Sequence, residues 1–296
     1  MKYDSISELV KEAEKAKTSI GRLVLEDQAN LEEISQEKIY LNMKKALDVM
    51  KESCNGGMKK DLKSVSGLSG GDGYKMQMQV DMGKNICGKV FGQALARALA
   101  VSETNACMGK IVAAPTAGSC GIIPAAILTV GEDRNISEKE MVEALFTASA
   151  VGIVIANKAT ISGAEGGCQA ECGAASAMAA AALTEMCGGS PKNASNACAI
   201  ALKNILGLVC DPVAGLVEIP CIKRNAMGVA NALTASELAL AGIKSAIPAD
   251  EVIEAMKRVG DAMSSSLKET AEGGLAATPT ARKLYNKVFG ERNNNG

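Results

Sequence analysis

Of the residue types in this sequence, cysteine can take part in the widest range of chemistry. The 296 residues include ten cysteines and no histidine. Without histidine the chain cannot supply a Ser-His-Asp triad, a Cys-His pair or a histidine ligand for zinc or haem. Ten cysteines are too dilute for a small disulfide scaffold, and the N-terminal sequence MKYDSISELVKEAEKAK is charged throughout, unlike an export signal. We therefore expect a cytoplasmic protein whose reduced thiols serve ligation, catalysis or packing.

Two segments carry the cysteines with the most informative spacing. The first cysteine segment, AEGGCQAECGAAS (residues 164–176), has one cysteine after a Gly-Gly turn and another one helical turn later. The second cysteine segment, CDPVAGLVEIPCIKRNAMG (residues 210–228), has a cysteine at each end of a loop that contains proline and glycine. Neither has the C-x-x-C spacing typical of zinc ribbons and ferredoxins. If Cys168, Cys210 and Cys221 met in the fold, they would offer three thiolates and leave one iron of a four-iron cluster without a protein ligand.

Two further segments combine glycine with hydroxyl groups. In the first glycine segment, SGLSGGDGYKM (residues 66–76), backbone amides could converge on an anion such as a small carboxylate. Ser69 and Asp72 are possible helix caps there, and Lys75 follows on the next turn. The segment lacks a dinucleotide fingerprint and the GK[ST] of a phosphate loop. A plain glycine turn between two helices fits the pattern equally well.

The second glycine segment, APTAGSCGIIPA (residues 114–125), is a turn bracketed by two prolines. Thr116 and Ser119 offer hydroxyl groups, and Gly118 permits close backbone approach. An anion or an amino-acid head group could bind there, although a packed turn is an equally good interpretation. Cys120 has no charged neighbour in the sequence that would lower its pKa.

The elements that must position these segments are predominantly helical. Strand patterns are scarce, whereas alanine-rich stretches such as GAASAMAAAALTEM favour closely packed helices. We predict a mainly α fold, a single compact helical domain with glycine-rich loops. A charged helical N-terminal arm would cover residues 1–63, the helical catalytic domain residues 64–290, and a disordered tail residues 291–296.

Composition excludes several classes of partner. Hydrophobic residues make up 47% and charged residues 22%, with a net charge of −1, which is typical of a soluble globular protein and not of a nucleic-acid binder. Residues 111–131 carry no charge, but their prolines and glycines would break a membrane-spanning helix. We therefore predict that this stretch is a buried segment with a turn.

Taken together and in this order, the four segments resemble the α subunit of the iron-sulfur-dependent L-serine dehydratases, or L-serine ammonia-lyases. The resemblance covers residues 1 to about 290. It implies a [4Fe–4S] cluster on Cys168, Cys210 and Cys221, with an open iron that acts as a Lewis acid when L-serine is converted to pyruvate and ammonia. It implies no pyridoxal phosphate. It also implies a separate β subunit as a heterodimer partner, because the Ser- and His-containing motif of the family's β part is absent here.

The resemblance leaves the substrate contacts and the base open. Our candidates for substrate binding come from the two glycine segments: Ser69, Gly70, Gly71, Thr116, Gly118 and Ser119. Lys75 and Asp72 are weak candidates for the base, since each could instead hold the substrate. Two other functions remain: a related lyase for L-threonine or L-cysteine, and a non-catalytic zinc or thiol structural subunit.

The seven other cysteines divide into two groups. Cys120 and Cys172 lie near the predicted chemistry. The others are expected to be packing residues: Cys54, Cys87, Cys107, Cys187 and Cys198.

Overall fold

The computed structural model describes residues 3–290, and within that range the chain is helical and has no strand. The mainly α prediction is confirmed. A single isolated β-bridge joins Cys210 and Lys268. The α-helices are α1 (Ile6–Ala16), α2 (Ile20–Glu32), α3 (Gln36–Gly57), α4 (Asp72–Asp81), α5 (Gly88–Ala106), α6 (Ile122–Asp133), α7 (Glu138–Lys158), α8 (Gly163–Gly166), α9 (Ala174–Met186), α10 (Pro191–Lys203), α11 (Cys221–Leu240), α12 (Ala249–Ala262) and α13 (Pro279–Phe289).

Shorter helical turns connect these elements. A π-helix, Gln169–Gly173, leads into α9. Three 3₁₀ turns lie at Val213–Gly215, Ser265–Leu267 and Gly274–Ala277. The first cysteine segment therefore runs from the end of α8 through the π-helix into α9.

Serine side chains define the starts of several helices. The hydroxyl group of Ser5 accepts a hydrogen bond from the Glu8 amide at the start of α1. Ser137 forms a capping box with Glu140 at the start of α7. These local signals fix helix boundaries independently of tertiary contacts.

Helix α9 occupies the centre of the core. Every residue from Ala174 to Thr184 is buried, and α9 packs against α6, α7, α10 and α11. Its side chains are mostly alanine, which explains how four helices can approach it closely. Within the uncharged stretch, residues 118–131 are buried as predicted, whereas residues 111–117 are half-buried or exposed. Helix α6 begins inside the buried part, and its Pro124 lies in the first turn, where proline is tolerated.

The N-terminal helices are amphipathic and contribute to the same core. Ile6 and Leu9 of α1 and Leu47 of α3 are almost completely buried in it, while the charged faces of these helices point outward. The domain boundary proposed at residue 63 stays a prediction. The predicted tail, residues 291–296, lies outside the described residues.

One helix in the described range is long and apolar enough to cross a membrane. It is α7, and 67% of its most apolar window is buried inside the molecule. It packs against α2 on one side and α9 on another. This burial is typical of the core helix of a globular protein.

Candidate active site

The cysteines of the predicted ligand set are buried and unpaired. Cys168 precedes the π-helix, and Cys221 is the first residue of α11. Burial raises the pKa of Cys221 to about 12, and negative charge on Cys168 contributes to the rise. Burial and the charge on Cys168 also raise the pKa of Cys210. The two cysteine segments thus bring these three thiols close enough for their charges to affect one another.

Cys172 lies beside Cys168. Their Sγ atoms are 3.4 Å apart, which is a hydrogen-bonding distance for sulfur. This hydrogen bond is the main cause of the lowered pKa of Cys168, against the effect of burial, and the positive charge of Arg224 lowers it further. The guanidinium of Arg224 is held by Asp211 at 2.8 Å and by the Val209 carbonyl at 2.8 Å.

Cysteine thiolates are the usual protein ligands of iron-sulfur clusters, and Cys168, Cys210 and Cys221 are free. Among residues 3–290, no three cysteine, aspartate or glutamate side chains come close enough together to hold one ion. In a four-iron cluster each thiolate binds a different iron, so the sulfur atoms lie farther apart than around one ion. Three buried, free thiols at separate positions of the two cysteine segments are compatible with that requirement.

The second glycine segment is held against the first cysteine segment by Glu171. The hydroxyl group of Thr116 donates to Glu171 Oε1 at 2.5 Å and also lies 3.1 Å from the hydroxyl of Ser119. A Cβ atom at Gly118 would be 2.7 Å from Glu171 Oε1, so a larger residue there would displace the Glu171 carboxylate. Burial raises the pKa of Glu171, and the Thr116 hydrogen bond opposes the rise.

Asn225 joins the same glycine segment to the start of α11. Its side-chain amide donates to the carbonyls of Gly118, at 2.7 Å, and Cys221, at 3.0 Å. Its oxygen accepts from the Gly121 amide at 2.8 Å. Asn225 is buried, so these hydrogen bonds fix the position of the loop relative to Cys221.

The first glycine segment is held against the second cysteine segment by Glu218. Ser66 donates to one carboxylate oxygen of Glu218 at 2.7 Å, and Ser69 donates to the other at 2.5 Å. Gly70 and Gly71 adopt positive φ angles of 137° and 77°. At Gly70 a Cβ would also be 2.1 Å from the Leu62 carbonyl oxygen, so the turn requires glycine there.

The capping prediction for this segment is wrong. Neither Ser69 nor Asp72 caps α4; Gly71 is the N-cap residue and makes no side-chain cap. Instead, the buried carboxylate of Glu103 on α5 accepts from the amides of Asp72 at 2.8 Å and Gly73 at 3.1 Å. A carboxylate of the chain itself therefore already binds the amides that the sequence suggested for an external anion.

The two candidate bases form an ion-paired group at the surface. The Lys75 ammonium is 2.9 Å from Asp72, and Lys223 of α11 is 2.5 Å from the same carboxylate. Burial tends to raise the pKa of Asp72, but the hydrogen bonds and charges of Lys223 and Lys75 outweigh this effect and lower it. The side chains line a cleft of ≈ 670 Å³ together with Ser69 and Lys63.

Comparison with known proteins identifies the family. Residues 5–276 match the family described as "Serine dehydratase alpha chain". The chain belongs to this family. The "Probable L-serine dehydratase, alpha chain" of Bacillus subtilis is 48% identical over 97% of this chain and 96% of that protein. The "L-serine dehydratase, alpha chain" of Peptoniphilus asaccharolyticus is 45% identical over 88% of this chain and 90% of that protein.

A longer relative matches over less of its length. The "L-serine dehydratase TdcG" of Escherichia coli is 47% identical over 60% of this chain, and the match covers 40% of that protein.

Sequence reasoning missed the polar residues that assemble the site in this serine dehydratase alpha chain. Three side chains of the site meet at Gly163. A Cβ atom added to this glycine would lie 3.1 Å from Cys210 Sγ, 3.2 Å from Glu171 Oε2 and 3.5 Å from Glu269 Oε2. A sequence signal existed for Glu171, which stands between two cysteines in CQAEC, and for Asn225, one helical turn after Cys221. Glu269 has no such signal in the sequence around it. It lies in the segment that follows α12.

The outcome for the packing cysteines is mixed. Cys54 and Cys198 are buried in the core, as expected. Cys87 is exposed at the start of α5, so its assignment as a packing residue is wrong. Cys120 is completely buried, and burial raises its pKa to about 12.

Proposed function

We propose that this chain is the alpha chain of an L-serine dehydratase that converts L-serine to pyruvate and ammonia in the cytoplasm, together with a separate beta chain. Membership of the serine dehydratase alpha chain family and the names of the full-length relatives support this function. The structural observation that carries it is the burial of three free cysteines beside the hydroxyl-rich second glycine segment.

Cys168, Cys210 and Cys221 would hold a [4Fe–4S] cluster as its protein ligands. When bound, the cluster supplies a Lewis acid for the departing hydroxyl group. No pyridoxal phosphate takes part in the proposal. Residues around the thiols suit this role, because Arg224 places a positive charge near the Cys168 thiolate.

The chain's own residues would bind and orient the substrate. Thr116, Gly118 and Ser119 lie next to the first cysteine segment through Glu171. Ser69, Gly70 and Gly71 lie next to the second cysteine segment through Glu218. These six residues stay the predicted substrate contacts. Asn225 and Glu218 would act by holding both loops in place.

The base that removes the α-proton of L-serine would come from the beta chain. Lys75 and Asp72 are paired with each other, and the pKa of Asp72 is lowered, which weakens both as proton acceptors. The chain has no histidine of its own. A histidine from the partner would complete the site, and co-purification of the two chains tests that requirement.

Four variants test the ligand set. Cys168→Ala, Cys210→Ala and Cys221→Ala would be purified anaerobically with the beta chain and compared with Cys198→Ala, which removes a buried thiol of α10. We expect each of the first three to lose the brown chromophore and pyruvate formation, and Cys198→Ala to keep both. A full four-iron cluster in any of the three would refute the assignment of that ligand.

The same preparation distinguishes the alternative functions. Activity would be measured with L-serine, L-threonine and L-cysteine, and iron and zinc would be counted. Greater turnover of L-threonine or L-cysteine would replace the substrate assignment. A colourless, zinc-loaded protein that stays inactive with its beta chain would refute the enzymatic function.

A further inference from the structure

Cys172 is a buried thiol that the proposed ligand set does not use. Its Sγ atom is 3.4 Å from Cys168 Sγ, and both side chains are almost completely buried. The separation is a hydrogen-bonding distance for sulfur and is much longer than a disulfide bond of about 2.05 Å.

The π-helix creates this proximity. Cys168 precedes it and Cys172 lies within it, so the two sulfur atoms belong to one locally widened turn. Single π-turns are rare and occur frequently at functional sites. The conformation directs a thiol at one of the three predicted iron ligands.

The chemistry of ligation decides which sulfur carries the proton. A cysteine that binds iron must be a thiolate, so Cys168 can only accept a hydrogen bond in the loaded protein. The proton between the two sulfur atoms then belongs to Cys172. We propose that Cys172 donates an S–H···S hydrogen bond to the iron-bound sulfur of Cys168 and thereby raises the reduction potential of the cluster.

The direction of the effect follows from electrostatics. Reduction adds an electron to the cluster and increases the negative charge on its sulfur ligands, so a donor to one of them stabilises the reduced state more than the oxidised state. The buried location strengthens the hydrogen bond, because little solvent screens it. Cys172 is thus a positioning residue that acts through Cys168. The inference rests on the proposed function only for the presence of the cluster.

Three variants of the complete alpha–beta complex test the inference. Cys172→Ala removes the donor, Cys172→Ser replaces it with a hydroxyl donor, and Cys198→Ala removes an equally buried thiol elsewhere. The midpoint potential would be measured by redox titration monitored with electron paramagnetic resonance. We expect a more negative potential for Cys172→Ala, a value nearer the wild type for Cys172→Ser, and no shift for Cys198→Ala.

A second readout follows the proton itself. The infrared S–H band that disappears in Cys172→Ala should shift in the wild type when the cluster is reduced, because the hydrogen bond becomes stronger. A merely structural role for Cys172 would leave this band insensitive to reduction.

Several results would overturn the inference. Equal potentials for Cys172→Ala and the wild type would show that no hydrogen bond tunes the cluster. A three-iron cluster in Cys172→Ala, or failure of both Cys172 variants to take up iron, would make Cys172 a ligand instead. Absence of iron and sulfide from the wild-type complex is a different failure, since it would refute the proposed function.

Discussion

At the scale of single residues, buried polar side chains hold together parts of the chain that are distant in the sequence. Asn225 bonds to a loop more than a hundred residues earlier, with separations of 104 and 107 residues to Gly121 and Gly118. Glu218 and Glu171 do the same for the two serines of the first glycine segment and for Thr116. The site is therefore assembled by hydrogen bonds whose loss leaves buried groups unpaired.

Replacement of Asn225 tests how much the stability of the protein depends on these hydrogen bonds. In Asn225→Asp, carboxylate oxygens would face the carbonyls of Gly118 and Cys221, which now receive hydrogen bonds. We expect the free energy of unfolding to fall by about 2–3 kcal/mol, measured by urea denaturation. Asn196→Ala, at a half-buried asparagine that also bonds to the backbone, is the control and should cost less. Equal losses in the two variants would contradict the prediction.

The sequence was informative about cysteines and uninformative about these links. Residue type drew attention to the thiols, because they are chemically distinctive wherever they lie, and the family resemblance implied Cys168, Cys210 and Cys221 as ligands. Asn225 and Glu218 are ordinary polar residues whose importance comes only from which backbone groups they meet after folding. Long-range hydrogen bonds leave no periodic pattern that could be read beforehand.

At the scale of elements, small residues set how closely helices approach. Gly57 near the end of α3 lies directly on α5, where a Cβ atom would be 1.9 Å from the Ala100 carbonyl oxygen. Gly73 of α4 packs on the same residue. Three helices thus converge on one small side chain, and α4 carries the glycine segment that faces Glu218 and Lys223.

Gly57→Ala should therefore be strongly destabilising. The new methyl group would collide with rigid backbone, and overpacking of this kind costs about 1–3 kcal/mol, with the upper end expected here. Its matched control is Gly56→Ala, where the nearest atom is the Thr104 hydroxyl at 3.3 Å and the helix gains propensity. Thermal unfolding of both variants checks the contrast. Similar melting temperatures would show that α3 and α5 separate easily.

The cap on α4 gives a second prediction at this scale. Glu103→Ala removes the acceptor of the Asp72 and Gly73 amides and should cost about 1–2 kcal/mol, as for other lost helix caps. Hydrogen exchange at these two amides should become faster. Ser137→Ala removes the cap of α7 and is the control, because it should leave exchange at residues 72 and 73 unchanged. Unchanged exchange in Glu103→Ala would exclude the capping role.

At the scale of the whole molecule, helix content was predictable and helix arrangement was not. Alanine-rich stretches and the scarcity of strand patterns predicted the mainly α fold. The central position of α9 depends on which faces meet, and a helix with small residues on every side gives no directional pattern. The approach of Glu269 to Cys210 depends in turn on how α12 and the following turns pack.

The half-buried carboxylate of Glu185 joins α9 to α2 and α7 and should make stability depend on pH. It accepts from Ile20 at the start of α2 and from Thr147 of α7, while burial raises its pKa from 4.5 against these hydrogen bonds. Because the pKa of Glu185 is higher in the folded than in the unfolded state, its contribution to the free energy of unfolding is fully present below about pH 4.5. That contribution is lost as the pH rises through the pKa of the folded state. Urea denaturation across this pH range should show that the free energy of unfolding of the wild type declines as the pH rises. This decline should be absent in Glu185→Gln.

Glu140 supplies a control of opposite sign. Its hydrogen bonds with Ser137 lower its pKa, so its contribution is present above the unfolded value and is lost as pH falls. Glu140→Gln should therefore remove a stabilisation at neutral pH that is absent in acid. Parallel pH profiles for the wild type and both variants would contradict the two assignments.

The isolated bridge between Cys210 and Lys268 makes the surroundings of this cysteine depend on a later part of the chain. The Cys210 amide donates to the Leu267 carbonyl at 2.8 Å, and the Glu269 amide donates back to Cys210 at 2.8 Å. The neighbourhood of this thiol is therefore complete only after residue 269 has left the ribosome and docked, long after Cys168 has emerged. Closing contacts across so many residues is slow. On the proposed function, we therefore expect the cluster to be taken up only after the segment that contains residue 269 has docked.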